Sequence, residues 1–147
     1  MLKQFEEAHH QDAASTEDLI AVANKNFVNT SIAREYGLKD LNWFFDQWVY
    51  GAEFPSYKLV YHVEAQSDGS VMVKGTIFQE GLRDNAKWFM PLPMTVSFGK
   101  DQLEHHVVAV TGPMMEVSFR VASMPEKVEL DPELFVISGR TSTQKER

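Results

Sequence analysis

The hydrophobic period of this chain changes once, and the change falls at Pro55. Before it, apolar residues return every three to four positions, the spacing of one helix face. After it they return every second position, the spacing of one strand face. A chain patterned in this way builds helices first and strands afterwards, which is the α+β class.

The helical part divides into about three pieces. Leu2, Phe5 and His9 share one stripe, which is already running at residue 2 with no capping residue ahead of it. Helices usually open on Ser, Thr, Asp or Asn, so this start is what a cut fragment would show. Ser15-Thr16-Glu17-Asp18 supplies such a signal for a second helix, followed by Leu19, Ala23 and Phe27 with Ile20 and Val28 beside them. Asn29-Thr30-Ser31 interrupts that helix, and Gly37 ends it as a left-handed C-terminal residue would. Asp40 is expected to cap the third helix, which begins at Leu41.

Beyond Pro55, Tyr57, Leu59, Tyr61 and Val63 alternate with polar neighbours, and Asp68-Gly69 is a hairpin turn. Val71, Val73, Gly75 and Ile77 continue on the return. Leu92 to Phe98 alternate next and are ended by Gly99-Lys100-Asp101. Leu103 to Val110 and Met115 to Val121 flank the turn at Thr111-Gly112-Pro113. Val128 and Leu130 form a short strand, and Phe135-Val136-Ile137 offers a last one. Six or seven short strands with these turns predict an antiparallel, Ig-like β-sandwich. The expected division is helices over 1–51, a sandwich over 52–139 and a frayed tail over 140–147, where no core residue remains.

Composition narrows the function. The 147 residues carry a net charge of −7 without a basic patch, which argues against a nucleic-acid partner. No apolar run approaches the roughly 18 residues of a membrane-spanning helix. "MLKQFEEAHH" has no apolar core of a signal peptide, and localisation stays undetermined. The absence of cysteine removes disulfides, thiol nucleophiles and thiolate metal sites. His9-His10 and His105-His106 are adjacent pairs that diverge on a helix and on a strand. His62 and Glu64 share a strand face, but two ligands do not make a metal site. H-E-x-x-H, G-x-S-x-G, the P-loop and G-x-G-x-x-G are absent. Asn29-Thr30-Ser31 is a glycosylation sequon of low specificity. Gly75 reads as a packing or bulge residue in preference to a ligand site. The residues therefore predict no catalytic, cofactor or metal group in this chain.

One stretch stands apart: "LNWFFDQWVYG", Leu41 to Gly51, with two of the three tryptophans. On a helical wheel Leu41, Phe44, Phe45, Trp48 and Val49 fall within about 140°, a core-facing stripe. Trp43 and Tyr50 project on the opposite side, where a helix covering one layer is normally polar. Burying a large aromatic ring is worth a few kcal/mol at about 25 cal/mol per Å². Trp43 and Tyr50 are thus expected to meet a second layer, a missing partner or, in the isolated chain, another copy of it.

"DLNWFFDQWVYG", with a following proline and alternating strand, resembles the aminopeptidase N family of zinc metallopeptidases. There a "dlsWFFdqWv" segment closes the helical part of the catalytic domain and a β-sandwich follows. "STEDLIAVANK" is similar to an upstream helix of that family, and "GTIFQ", "PLPMTVSFG" and "KVELDPE" to sandwich strands. The resemblance spans roughly Leu2 to Val136, and its W-F-F-D-Q-W run is its most specific part. It implies a non-catalytic C-terminal piece of a zinc aminopeptidase, bracing the catalytic domain through Trp43, Phe44, Phe45, Trp48 and Tyr50. The parent's zinc motif, distal glutamate and G-x-M-E-N would lie upstream, so zinc is implied for the parent and no catalytic role passes to this chain. The family often reads Gly-x-Gly-x-Pro after the helix, whereas here it is Gly51-Ala52-Glu53-Phe54-Pro55. Its rivals are a free-standing β-sandwich module binding protein or carbohydrate, which exposed aromatics around Trp88, Phe89 and Met90 would favour, and a small enzyme with an unfamiliar site.

Overall fold

The computed structural model describes residues 1–10, 13–82, 88–99 and 102–146. It is α+β, and the chain divides into two compact units, Met1–Ala52 and Glu53–Arg147.

The described residues of the first unit form four helices: α1 (Leu2–Ala8), α2 (Thr16–Phe27), α3 (Ser31–Glu35) and α4 (Asn42–Trp48). Ser15 and Asp18 close a capping box on α2, each side chain taking the other's backbone N–H. The extra helix over the expected three has a local cause. The Thr30 hydroxyl donates to the Phe27 carbonyl (2.8 Å) and accepts from the Ala33 N–H (3.2 Å), closing α2 and opening α3. Gly37 follows α3 at φ 63°, and the Leu38 N–H returns to the Ala33 carbonyl at 2.8 Å. At α4 the expectation shifts by one residue. Leu41 holds the N-cap position, while the Asp40 carboxylate accepts from the Asn42 N–H at 2.9 Å. Ala23, Phe27, Ala33 and Phe45 are the buried apolar residues of this unit.

The described residues of the second unit form seven strands: β1 (Ser56–Ala65), β2 (Val71–Glu80), β3 (Phe89–Ser97), β4 (Leu103–Thr111), β5 (Met114–Val121), β6 (Lys127–Leu130) and β7 (Arg140–Lys145). They form a four-stranded sheet in the order β5-β2-β1-β7 and a three-stranded sheet in the order β4-β3-β6. Lys100 and Asp101 of the expected turn before β4 lie outside the described residues. The alternation read from sequence is the burial pattern: Tyr57, Leu59 and Tyr61 on β1, Val71, Val73 and Ile77 on β2, Leu92, Met94 and Val96 on β3 are all buried. Two polar bonds join the sheets. The Val128 N–H of β6 donates to the Tyr61 hydroxyl of β1 (3.2 Å), and the Leu130 N–H of β6 donates to Thr143 Oγ1 of β7 (3.3 Å).

Two expectations are corrected at the C-terminal end. Arg140–Lys145 is no frayed tail: it forms β7, and it pairs parallel with β1, so the four-stranded sheet is mixed. With Thr, Ser and Gln in place of core residues, its warrant is the backbone ladder offered by β1, which hydropathy cannot register. Phe135-Val136-Ile137 is not a strand. The buried Asp131 carboxylate takes the N–H groups of Phe135 (2.8 Å) and Val136 (2.9 Å), and Asp131 and Leu134 both adopt positive φ. Those N–H groups are committed to a side chain instead of a neighbouring strand.

Pro91 and Pro93 sit inside the central strand β3, where proline is normally excluded. The Pro93 carbonyl accepts from the Asp131 N–H (2.8 Å), so these residues direct their backbone toward β6. β6 pairs only with Met94–Ser97, leaving no ladder bond for the prolines to break. Gly75 is indeed a packing residue: a Cβ there would stand 2.6 Å from the Val60 carbonyl oxygen and 2.9 Å from Tyr61 Cβ.

Candidate functional site

The sequence singles out the aromatic segment, and the structure distributes it differently from the wheel. Phe45 is buried, Trp43 and Trp48 are half-buried, and Phe44, Val49 and Tyr50 are 41%, 49% and 56% exposed. Gln47, a polar residue the stripe omitted, is buried instead. The expected core face is thus split: Phe45 turns inward, whereas Phe44 and Val49 stand in solvent. A seven-residue helix explains the failure. With barely two turns and no side-chain cap, its orientation follows its packing against α2, including the Asn24–Asn42 side-chain bond (2.9 Å), and not its own hydrophobic stripe.

The rings also stack among themselves. Phe44 lies edge-on to Trp43 (centroids 5.9 Å apart) and to Phe45 (5.6 Å), a favourable T-shaped pair in each case. Tyr50 lies beyond the helix end, its N–H bonded to the Phe45 carbonyl at 3.0 Å. Its hydroxyl donates to Glu17 at 3.2 Å, tying the segment to the start of α2. Desolvation, then the bond to Glu17, raise the tyrosine's pKa above its ordinary value, while the Glu17 backbone N–H and the Tyr50 hydroxyl lower that of Glu17. Gly51 closes the turn because any Cβ there would collide with the Gln47 carbonyl. Trp43, Phe44 and Phe45 therefore form one stacked cluster, with Phe44 as its exposed member, while Tyr50 is exposed separately at the helix end.

A second surface was not marked by any motif. The outward face of the four-stranded sheet forms an open groove of about 780 Å³, lined by Lys58, His62, Lys74, Thr76, Glu116 and Glu146 among others. Glu64 bonds two of these lining residues, Lys74 Nζ at 2.7 Å and His62 Nε2 at 3.1 Å. Lys74 first, then His62, lower the carboxyl's pKa. The alternation of His62 and Glu64 on one strand was legible; the contribution of Lys74 depends on the register Glu64↔Met72 and His62↔Lys74, which only pairing decides.

The remaining histidines diverge as adjacent strand positions must. His105 meets Thr95 Oγ1 at 3.3 Å on the outer face, and His106 stacks at 4.5 Å on Phe119 of β5 in the other sheet. Trp88 and Met90 are buried and Phe89 is half-buried, so this stretch leads into the core. Among the described residues, no group of three or more His, Asp or Glu is placed to hold a metal ion. No helix of the described residues is long and apolar enough to cross a membrane. The chain matches no protein-family model, and no curated protein matches it.

Proposed function

We propose that this chain is a non-catalytic structural portion of an aminopeptidase N-like zinc metallopeptidase. Its helices belong to the end of the catalytic domain, and its strands form the Ig-like β-sandwich that follows. The observation carrying this reading is the W-F-F-D-Q-W segment: it lies on α4, immediately before the change from helices to strands, and leaves Phe44, Val49 and Tyr50 exposed. Exposed rings at this point are what a surface built to pack on the rest of a parent protein requires. The strand order supports the Ig-like part: β1, β2 and β5 share one sheet while the β3-β4 hairpin and β6 share the other, the alternation of a Greek-key sandwich. The parent would hydrolyse peptide bonds with a zinc-activated water held by its own upstream residues.

Purified as 147 residues, the chain is expected to take up no stoichiometric zinc and to release no amino acid from aminopeptidase substrates. Zinc at one equivalent, or turnover above a heat-denatured control, overturns the reading. Its positive counterpart is an H-E-x-x-H encoded in frame, on the order of a hundred residues upstream. The rival, a free-standing binding module, is favoured by the sheet-face groove around Lys58, His62 and Lys74. Binding of a carbohydrate or peptide there, lost in Lys74→Ala, together with a reading frame that starts at Met1, would replace the first reading with the second.

A further inference from the structure

The four sheet edges are not alike. β5 carries Glu116 and Arg120 outward, with Arg120 paired to Asp68 at 2.7 Å. β6 has four residues and β7 six, and both bear charged side chains. Shortness and charge are the usual protections of an edge against pairing with another chain. β4 is less protected: it runs for nine residues with Glu104 as its single Asp, Glu, Lys or Arg, pairs with β3 without a bulge from Leu103↔Ser97 to Phe89↔Thr111, and contains no proline or lysine. Its outer residues Leu103 and Val107 are 52% and 56% exposed.

The direction of the free backbone groups follows from the bonds already made. The Pro93 and Ser97 carbonyls accept from the Asp131 and Glu126 N–H groups, both at 2.8 Å, so odd-numbered residues of β3 face β6 and even-numbered ones face β4. Through the register Met94↔His106, the even residues of β4 are those bonded to β3. The N–H and C=O groups of Leu103, His105 and Val107 consequently point away from β3, to an edge that no described strand pairs.

We propose that β4 is a homotypic interface, in which two copies of this chain pair antiparallel through their β4 edges in a register centred on His105. In that register Leu103 of each copy faces Val107 of the other, Glu104 faces His106, and His105 faces itself. The three outward residues supply about six interchain backbone hydrogen bonds. The apolar pair and the carboxylate–imidazole pair each occur twice, as two-fold symmetry demands. Moving the centre to Val107 sets Glu104 against Val110 and His106 against Val108, and the carboxylate–imidazole match is lost. This self-complementarity identifies a second copy as the occupant. It does not depend on the metallopeptidase reading.

The cysteine-free sequence permits a direct test. Opposed residues of a hydrogen-bonded antiparallel pair have Cα atoms about 5.5 Å apart, within disulfide range. The full chain carrying His105→Cys, treated with a mild oxidant, is expected to give a covalent dimer of twice the 16.8 kDa chain mass. Val107→Cys, whose position faces Leu103 of the other copy, is expected to give no covalent dimer. Sedimentation of the wild type should show a concentration-dependent monomer–dimer equilibrium. Val107→Pro, which removes only an outward N–H, should shift it to monomer with an unchanged circular dichroism spectrum; Val107→Lys serves if the proline variant does not fold. A wild type that is monomeric at every concentration overturns the proposal. So does a dimer that survives Val107→Lys, one that dissolves only on Trp43→Ala or Tyr50→Ala, or cross-linking by Val107→Cys in place of His105→Cys.

Discussion

Two tyrosines four residues apart on β1 show how far residue type falls short of residue role. Tyr57 and Tyr61 alternate identically in sequence and are both buried. The Tyr61 hydroxyl accepts the Val128 N–H, which points away from β3 and depends on it. The Tyr57 hydroxyl is buried with no hydrogen-bond partner among the described residues, and burial raises its pKa above the ordinary tyrosine value. Removing a hydroxyl that satisfies a buried N–H leaves that donor unpaired, at about 1–3 kcal/mol, whereas removing an unpartnered one is neutral or stabilising. Tyr61→Phe is therefore expected to lower the urea midpoint and Tyr57→Phe to leave it unchanged or raise it. Equal losses in both variants would refute the assignment.

At the scale of elements, local signals succeeded where a side chain bonds its own backbone neighbourhood. Ser15-Thr16-Glu17-Asp18 reads as a helix start and is one, with Ser15 and Asp18 closing a capping box through bonds of 2.9 and 3.2 Å. Ser15→Ala should cost about 1 kcal/mol, measurable as reduced helix content on heating; Ser15→Asp, which preserves an acceptor, should recover most of it. A Ser15→Ala chain as stable as the wild type would show that α2 is held by its packing alone. Elements that borrow their warrant from a distant partner were invisible. β7 has no hydrophobic alternation and exists because β1 offers a ladder; α4 has a clear stripe, yet Phe44 and Val49 remain exposed. In a helix this short the stripe is a weak constraint, so the wheel located the aromatic surface but misassigned its faces.

At the scale of the whole molecule, four described carboxylates are held below their ordinary pKa by their surroundings. Glu17, Asp18, Glu64 and Asp68 have pKa values below their ordinary ones, through hydrogen bonds to backbone, hydroxyl and basic groups. A carboxylate depressed in the folded state contributes stability that is present above its unfolded pKa, about 4, and is lost as pH falls through the folded value. The denaturant midpoint is expected to hold near neutrality and to decline below about pH 4. Glu64→Gln should reduce that decline, because Lys74 and His62 then face an amide. A midpoint unchanged between neutral and acid solution would contradict the linkage.

The sequence by itself determined the class and order of elements. The change of period at Pro55, the capping residues and the alternating strands are local consequences of side-chain spacing, and each can be read without knowing what lies opposite. It also marked the aromatic run from Trp43 to Tyr50 as a surface to be explained. Only the tertiary structure decided register and partnership: Lys74 beside Glu64, Tyr61 beneath Val128, β7 parallel to β1, and the backbone of Leu103, His105 and Val107 turned to an open edge. Those facts depend on residues tens of positions apart meeting in one strand pairing, and a shift of one residue would send every side chain to the opposite face.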